Sequence, residues 1–196
     1  AFCFGCSYYE HSDGTSHEKE THKVSGLIDY EVIPLQRRGL DIESCKKWKY
    51  GVGEYDGVPV QVANYSNSTG QVVAQKLRFP DKRFKWLGDT AKVELYGINL
   101  WRDVGKMVTI VEGETDALSV SQAFGHKWPV VSVPNGAKSA AKIIAKHIDW
   151  LEGFESVVLC FDQDEAGQEA VKAVADLLPP GKCKVAKLPY KDANEC

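Results

Sequence analysis

No stretch of this 196-residue chain stays apolar for anything near the roughly 18 to 20 residues that cross a bilayer. Its start, Ala1-Phe2-Cys3-Phe4-Gly5-Cys6, has no charged segment leading into an apolar one, so no secretory leader is expected there and a cytoplasmic location is. No internal repeat or low-complexity tract occurs, and no Gly-x-x-x-x-Gly-Lys-Ser/Thr loop appears, so a P-loop nucleotide site is not expected within these residues. Excess charge is also missing. The 24 Lys and Arg against 27 Asp and Glu leave a net charge of −3, which by itself points to no polyanion partner. What is present, 43% hydrophobic and 26% charged residues, suits a globular protein of one or two domains with a real core and excludes wholesale disorder. The absence of an initial Met and the opening Cys pair suggest a piece of a longer protein.

Charge is unevenly placed. Glu18, Glu20, Asp29 and Glu31 make one region acidic, whereas Lys76 to Lys85 holds five basic residues against Asp81 alone. Residues 7–26 are polar and lack apolar periodicity, which reads as a linker. Asp41 is a candidate N-cap for a helix over Ile42 to Trp48. Val58 to Tyr65, Gln71 to Phe79 and Phe84 to Leu87 read as strands separated by turns.

From Lys106 the pattern changes. Met107 to Val111, Pro129 to Val133, Ser156 to Phe161 and Cys183 to Leu188 are strand-like, the first three mainly apolar and β-branched as buried parallel strands are. Helices are expected between them, over Thr115 to Phe124, Ser139 to Leu151 and Glu165 to Leu178. The alternation predicts an α/β fold with a mainly parallel sheet flanked by helices, in which ligands bind beyond the carboxyl ends of the strands.

Acids gather at those ends. Glu112, Glu114 and Asp116 follow the first strand, Asp162, Asp164 and Glu165 the third, and Asp192 the fourth. Any one of them has an ordinary alternative: Asp164 suits an N-cap, and acids in a first helical turn favour the macrodipole. Three clusters at one rim instead suggest a site for Mg²⁺ or Mn²⁺ that handles phosphoryl or nucleotidyl transfer. An Asp-x-Asp after a strand also occurs in haloacid dehalogenase-type phosphatases, but there it follows the first strand.

Val111-Glu112-Gly113-Glu114-Thr115-Asp116-Ala117-Leu118, with Phe161-Asp162-Gln163-Asp164-Glu165-Ala166-Gly167 further on, resembles the Toprim signature shared by bacterial-type primases, type IA and II topoisomerases and some nucleases. Arg37-Arg38-Gly39-Leu40, Asp56-Gly57-Val58, Gln75-Lys76-Leu77-Arg78, Leu95-Tyr96-Gly97 and Lys191-Asp192-Ala193-Asn194-Glu195-Cys196 extend the likeness to the primase half of the bifunctional primase-helicases of T-seven-type bacteriophages. The resemblance implies a DNA primase, which joins ribonucleoside triphosphates into short primers on single-stranded DNA. It implies a partial zinc ribbon with linker at 1–26, a small mixed α+β subdomain at 27–105 and a Toprim domain at 106–196. It assigns Glu112 as general acid/base, with Glu112, Asp116, Asp162, Asp164 and Asp192 at Mg²⁺ (or Mn²⁺) and Asp162 and Asp164 counted with the catalytic set. Lys76, Arg78 and Lys82 are assigned to nucleotide or template.

Cys3-x-x-Cys6 then matches half of a four-Cys zinc site, with Zn²⁺ bound in the intact N-terminal domain. Half a ligand set implies a piece that extends an annealed primer better than it starts one. The implied partners are a covalently linked helicase domain and the replicative DNA polymerase, in a phage replisome without membrane attachment. Two rivals remain at this stage: Toprim-type DNA cleavage as by a nuclease or topoisomerase, for which Tyr190 is the nearby tyrosine, and a catalytically degenerate single-stranded-DNA-binding module. The patch from Lys76 to Trp86 fits either base stacking beside phosphate contacts or a solvated strand face with core aromatics. Trp48 reads as core. Pro134 to Ser139 reads either as a phosphate-binding turn or as an ordinary helix start.

Overall fold

In a computed structural model the protein is described over residues 26–196, and for the backbone alone at 2–3, 8–10 and 16–17. That N-terminal backbone pairs as an antiparallel sheet of β1 (Phe2–Cys3), β2 (Tyr8–Glu10) and β3 (Ser16–His17). Two of these strands fall within the segment expected to be a linker. The side chains of Cys3 and Cys6 lie outside the described residues.

A five-stranded antiparallel sheet follows: β4 (Tyr30–Glu31), β5 (Tyr50–Tyr55), β6 (Val58–Ser66), β7 (Val72–Arg78) and β8 (Phe84–Gly88), in that spatial order. Helix α1 (Ile42–Lys47) precedes β5, and Asp41 caps it as expected, its carboxylate accepting the Ser44 N–H at 2.7 Å. The side-chain period of two divides the sheet. Val60, Val62 and Leu77 form a small core on one face. Ala63, Tyr65 and Ala74 pack on the other face with Trp48, Tyr96 and the second half of the chain. Lys76 and Arg78, opposite Ala63 and Gln61, share that second face.

The second half builds a parallel sheet in the order β10 (Val130–Ser132), β9 (Gly105–Val111), β11 (Phe154–Cys160), β12 (Cys183–Val185). Helix α2 (Glu114–Ala123) joins β9 to β10 and buries Ala117 and Leu118 beside the antiparallel sheet. Helices α3 (Ala140–Ala145), α4 (Ile148–Glu152) and α5 (Glu165–Ala175) serve the connections that run the other way. They cover Val108, Ile110, Val157 and Leu159 on the opposite face. Right-handed crossovers require this, because reversing the direction of travel across the sheet moves the connecting helix to the other face. The reversal makes β9 and β11 neighbours, and their register, Cys160 opposite Val111, sets the acids after both strands side by side at a topological switch point.

The single helix expected over Ser139 to Leu151 is instead a 3₁₀ turn at Ala137–Ser139 followed by two short helices. The chain tightens where Lys146 and His147 donate back to the Ile143 and Ile144 carbonyls, and the His147 ring bonds the Ile143 carbonyl at 2.9 Å. The fourth strand stops at Val185 rather than Leu188 and the last helix at Ala175 rather than Leu178. Strand β5 was not anticipated, because two glycines interrupt it. A Cβ at Gly51 would lie 2.3 Å from the Glu31 carbonyl oxygen, so close pairing with β4 excludes any side chain there.

Candidate active site

The two sheets face each other across a cleft of about 600 Å³. From the parallel sheet, Glu112, Asp116, Asp162 and Asp192 line it; from the antiparallel sheet and its β7–β8 turn come Lys76, Arg78 and Lys82, with Arg38 beside them. Seven of the eight acids and bases expected at a metal and triphosphate site therefore meet in one place. The eighth, Asp164, is not among the lining residues. Its Oδ1 accepts the Gly167 N–H at 3.0 Å as the N-cap of α5, and its Oδ2 lies 3.9 Å from Lys191 Nζ. Its Oδ1 thus makes the helix-capping bond, while its charge still acts on Asp162. Gly167 has its own reason: a Cβ there would lie 2.1 Å from the Asp162 carbonyl oxygen, so only glycine lets α5 start this close beneath Asp162.

Glu112 is held on one side only. Its Oε1 accepts the Ala137 N–H at 3.2 Å, while its Oε2 is buried without a hydrogen-bond partner among the described residues. The Pro134 to Ser139 loop thus spends a backbone donor on the carboxylate. Asp116 is bound twice by backbone, from Gly113 N–H at 3.1 Å and Asn194 N–H at 3.0 Å. Burial pushes the Asp116 carboxyl up to about 7, with repulsion from Asp192 and Asp162 adding to it and those two N–H groups opposing it. Asp162 is raised to about 6, again first by burial and then by Glu112, Asp192 and Asp164, with Lys191 opposing.

Among the described residues no three His, Cys, Asp or Glu side chains close into a cation cage. The donors nevertheless fit a hard divalent ion. They are all carboxylate oxygens, they repel one another in a partly desolvated cleft, and one of them is buried with no partner. Mg²⁺ suits such a site because it takes one or two carboxylates and fills its shell with waters and phosphate oxygens.

Across the cleft the cations are organised by an interaction absent from the sequence reading. Lys76 Nζ sits 2.8 Å from Glu114 Oε1 and 2.7 Å from the Pro134 carbonyl oxygen, and the Tyr65 hydroxyl donates to the same Glu114 oxygen. Tyr65 is buried under Trp86, their ring centroids 4.8 Å apart, and Trp86 Nε1 donates to Asn135. Glu114 therefore anchors a lysine of one sheet to the helix of the other. Phe84 is exposed and lies 4.6 Å from Lys76 Nζ, so the aromatic-cation patch has both a core member, Trp86 against Tyr65, and a solvent-facing one. Trp48 is buried as expected.

Residues 31–88 match the family model for the bacteriophage T7 DNA helicase/primase N-terminal α+β fold, and residues 109–196 match the Toprim-like model. The crystal structure of the primase fragment of the bacteriophage T7 primase-helicase superposes with a TM-score of 0.82 at 38% identity, covering all of this chain and 84% of that one. The chain belongs to that primase-fragment family. The DNA helicase/primase of Enterobacteria phage T3 is 43% identical over 162 residues, 83% of this chain. The chain spans only 28% of that curated relative's length. A second solved structure, T7 lagging-strand DNA polymerase with primase domains of two gp4 subunits bound to an RNA/DNA hybrid and dTTP, matches with a TM-score of 0.80 at 42% identity, covering 86% of each chain. The expected fold, a Toprim domain with a mainly parallel sheet after an α+β unit, is the one observed.

The raised carboxyls of this primase fold give stability a defined pH dependence. A carboxyl whose folded pKa lies above its unfolded value binds its proton more tightly when folded, so stability falls as pH rises from the unfolded pKa to the folded one. For Asp116 and Asp162 that window runs from about 4 to about 7. The capping carboxyls Asp41 and Asp89, and Asp81 bonded to Arg83 in the β7–β8 turn, are shifted the other way, so their contribution is complete before the upper half of the window. Metal-free protein is expected to melt at lower temperature at pH 8 than at pH 5, with the difference reduced in Asp116→Asn. Mg²⁺ should raise the melting temperature more at pH 8, where protons no longer compete. Scanning calorimetry with and without Mg²⁺ checks this, and an equal Mg²⁺ effect at both pH values counts against it.

Proposed function

We propose that this chain is the RNA-polymerising core of a DNA primase, adding ribonucleotides to a short oligoribonucleotide on a single-stranded DNA template. The observation that carries the reading is the cleft itself: Lys76 and Arg78 of the antiparallel sheet, with Lys82 of its β7–β8 turn, face the acidic rim of the parallel sheet. The cations suit the phosphates of an incoming triphosphate, offsetting the charge that develops on the departing pyrophosphate. Glu112 offers its unpartnered Oε2 as acceptor for the proton of the primer 3′-hydroxyl, its other oxygen held still by Ala137. Glu112, Asp116, Asp162 and Asp192 would hold Mg²⁺ or Mn²⁺, with Asp164 organising the turn from the helix side. Such ions, when bound, stabilise the attacking and leaving oxygens of an in-line displacement at the α-phosphate. Phe84, exposed at the cleft mouth, suits a base of the template or primer.

The same reading divides the chain into an N-terminal subdomain at 27–105 and a Toprim domain at 106–196, behind a zinc-binding segment that uses Cys3 and Cys6. It places the chain beside a helicase domain and a replicative DNA polymerase in the cytoplasm; no helix among the described residues is long and apolar enough to cross a membrane. The T7 structure bound to an RNA/DNA hybrid supports the template and partner assignments. DNA cleavage is less well supported, because Tyr190 is exposed and not among the residues lining the cleft.

The test is Mg²⁺-dependent addition of ribonucleotides to a short oligoribonucleotide annealed to single-stranded DNA. Templated extension that stops when Mg²⁺ is chelated is expected. Nicking of supercoiled DNA without extension would turn the reading toward a nuclease.

A further inference from the structure

The last segment of the chain, after β12, carries no helix or strand, yet it delivers Asp192 to the cleft. Asn194 holds it in place. The Asn194 backbone N–H donates to Asp116 Oδ1 at 3.0 Å. Its side-chain Nδ2 donates to the Arg38 carbonyl at 2.9 Å and to Ser119 Oγ at 2.8 Å. Its Oδ1 accepts from Arg38 Nη1 at 3.0 Å. The backbone N–H and every polar atom of the side chain are thereby used, and they tie the C-terminal tail to two segments far from it in sequence, the loop before α1 and helix α2.

These partners stand on two sides of the cleft, Arg38 on one and helix α2 on the other. Asp116 has its other carboxylate oxygen on Gly113, so the Asn194 N–H completes a two-point clamp that fixes the carboxylate plane. Arg38 spends one of the five N–H donors of a guanidinium on Asn194 and lines the cleft beside Arg78 and Lys82. Asp192 lies two residues upstream, its Oδ1 accepting the Glu195 N–H at 3.0 Å in the turn that contains Asn194. A carboxamide is the side chain that fits: Asp would replace both Nδ2 donors with an acceptor against the Arg38 carbonyl, and Gln would hold the tail a methylene farther from Asp116.

Resting on the polymerase reading above, we propose that Asn194 is a positioning residue that couples the nucleotide side of the cleft, through Arg38, to its metal side, through Asp116 and Asp192. It touches no substrate. It sets where a cation and two carboxylates stand relative to one another.

The experiment measures binding, so that it does not depend on turnover. Mn²⁺ affinity is read from the free-ion electron paramagnetic resonance signal and nucleotide affinity from the anisotropy of a fluorescent ribonucleoside triphosphate, for the parent, Asn194→Ala, Arg38→Ala and the double variant. Asn194→Ala is expected to weaken Mn²⁺ and nucleotide binding each by about tenfold, the low end of what removing a supporting residue of a metal site costs. Arg38→Ala should weaken nucleotide binding with Mn²⁺ affinity within twofold of the parent. The double variant should bind nucleotide no worse than Asn194→Ala. Additive losses, or unchanged affinities with only a lower melting temperature, would overturn the proposal.

If Asn194→Ala does not fold, Asn194→Asp takes its place, because it keeps an acceptor for Arg38. It should hold nucleotide within about twofold while losing Mn²⁺ affinity tenfold, and equal losses or none would overturn the coupling. A parent that binds Mn²⁺ and nucleotide with this coupling but extends no primer defeats the polymerase reading and leaves the role of Asn194 standing. A parent that binds neither defeats both.

Discussion

Replacing Glu112 by Gln is expected to lower the rate of ribonucleotide addition by about 10² to 10⁴-fold, the range general acid/base catalysis contributes, with nucleotide affinity within a few-fold of the parent. Gln keeps an oxygen for the Ala137 N–H, so the β9–α2 turn and the loop at Pro134 have no reason to move. What is lost is the second oxygen, buried and unpartnered, which becomes an NH₂ group that cannot take up a proton. Single-turnover extension of an annealed oligoribonucleotide, with nucleotide binding measured separately, isolates the chemical step. A variant that extends within tenfold of the parent would remove Glu112 from the role of proton acceptor. Arg78, which faces the same cleft from the other sheet, is expected to behave in the opposite way when changed to Ala, weakening nucleotide binding more than the chemical step.

Lys76→Met is expected to destabilise the protein by about 3 to 5 kcal/mol, because it strands the Glu114 carboxylate in the contact between the two sheets. Both side chains are only about one-tenth exposed, 11% for Lys76 and 10% for Glu114, so water cannot replace the lost ammonium. The Pro134 carbonyl loses its donor as well. The Lys76→Met/Glu114→Gln pair should recover most of that loss, since breaking a buried ion pair costs far more than removing it whole. Urea unfolding of the parent, the single variant and the pair gives the comparison. Equal stability of the single variant and the pair would show that Glu114 is not stranded and that the contact between the sheets does not depend on this lysine. If the pair regains stability but not nucleotide binding, Lys76 serves the triphosphate as well as the fold.

Strands β10, β9 and β11 were readable because they are largely buried, so each appears as a mainly apolar run, and acids follow two of them. Helix α1 was readable from a single residue, Asp41, whose capping bond is local. Strand β5 was not. Its glycines argue against a strand in any local scale, and their reason is the carbonyl of a strand some twenty residues earlier. The break between α3 and α4 was equally hidden, since the apolar spacing runs through it and the tightened turn is set by backbone bonds no pattern records. Asp162 and Asp164 stand two positions apart in the sequence, both assigned to the metal by the resemblance, with Asp164 also open to a capping role. The start of α5 separates them, turning Asp164 to the Gly167 N–H and leaving Asp162 to the cleft.

By itself, then, the chain's sequence determined its class and the chemistry of its site: an α/β sheet whose strand ends carry acids, a basic strand elsewhere, and motifs that mark the Toprim and phage primase families. These are properties of residue type and local spacing, which survive in one dimension. Only the tertiary structure decided that the basic strand faces the acids across one cleft, that Glu114 is occupied by Lys76 and Tyr65 while Glu112 keeps an oxygen free, and that Asn194, 156 residues from Arg38 along the chain, ties it to Asp116. Each of those depends on which backbone segment packs beside which, and long-range packing leaves no period in the sequence to read.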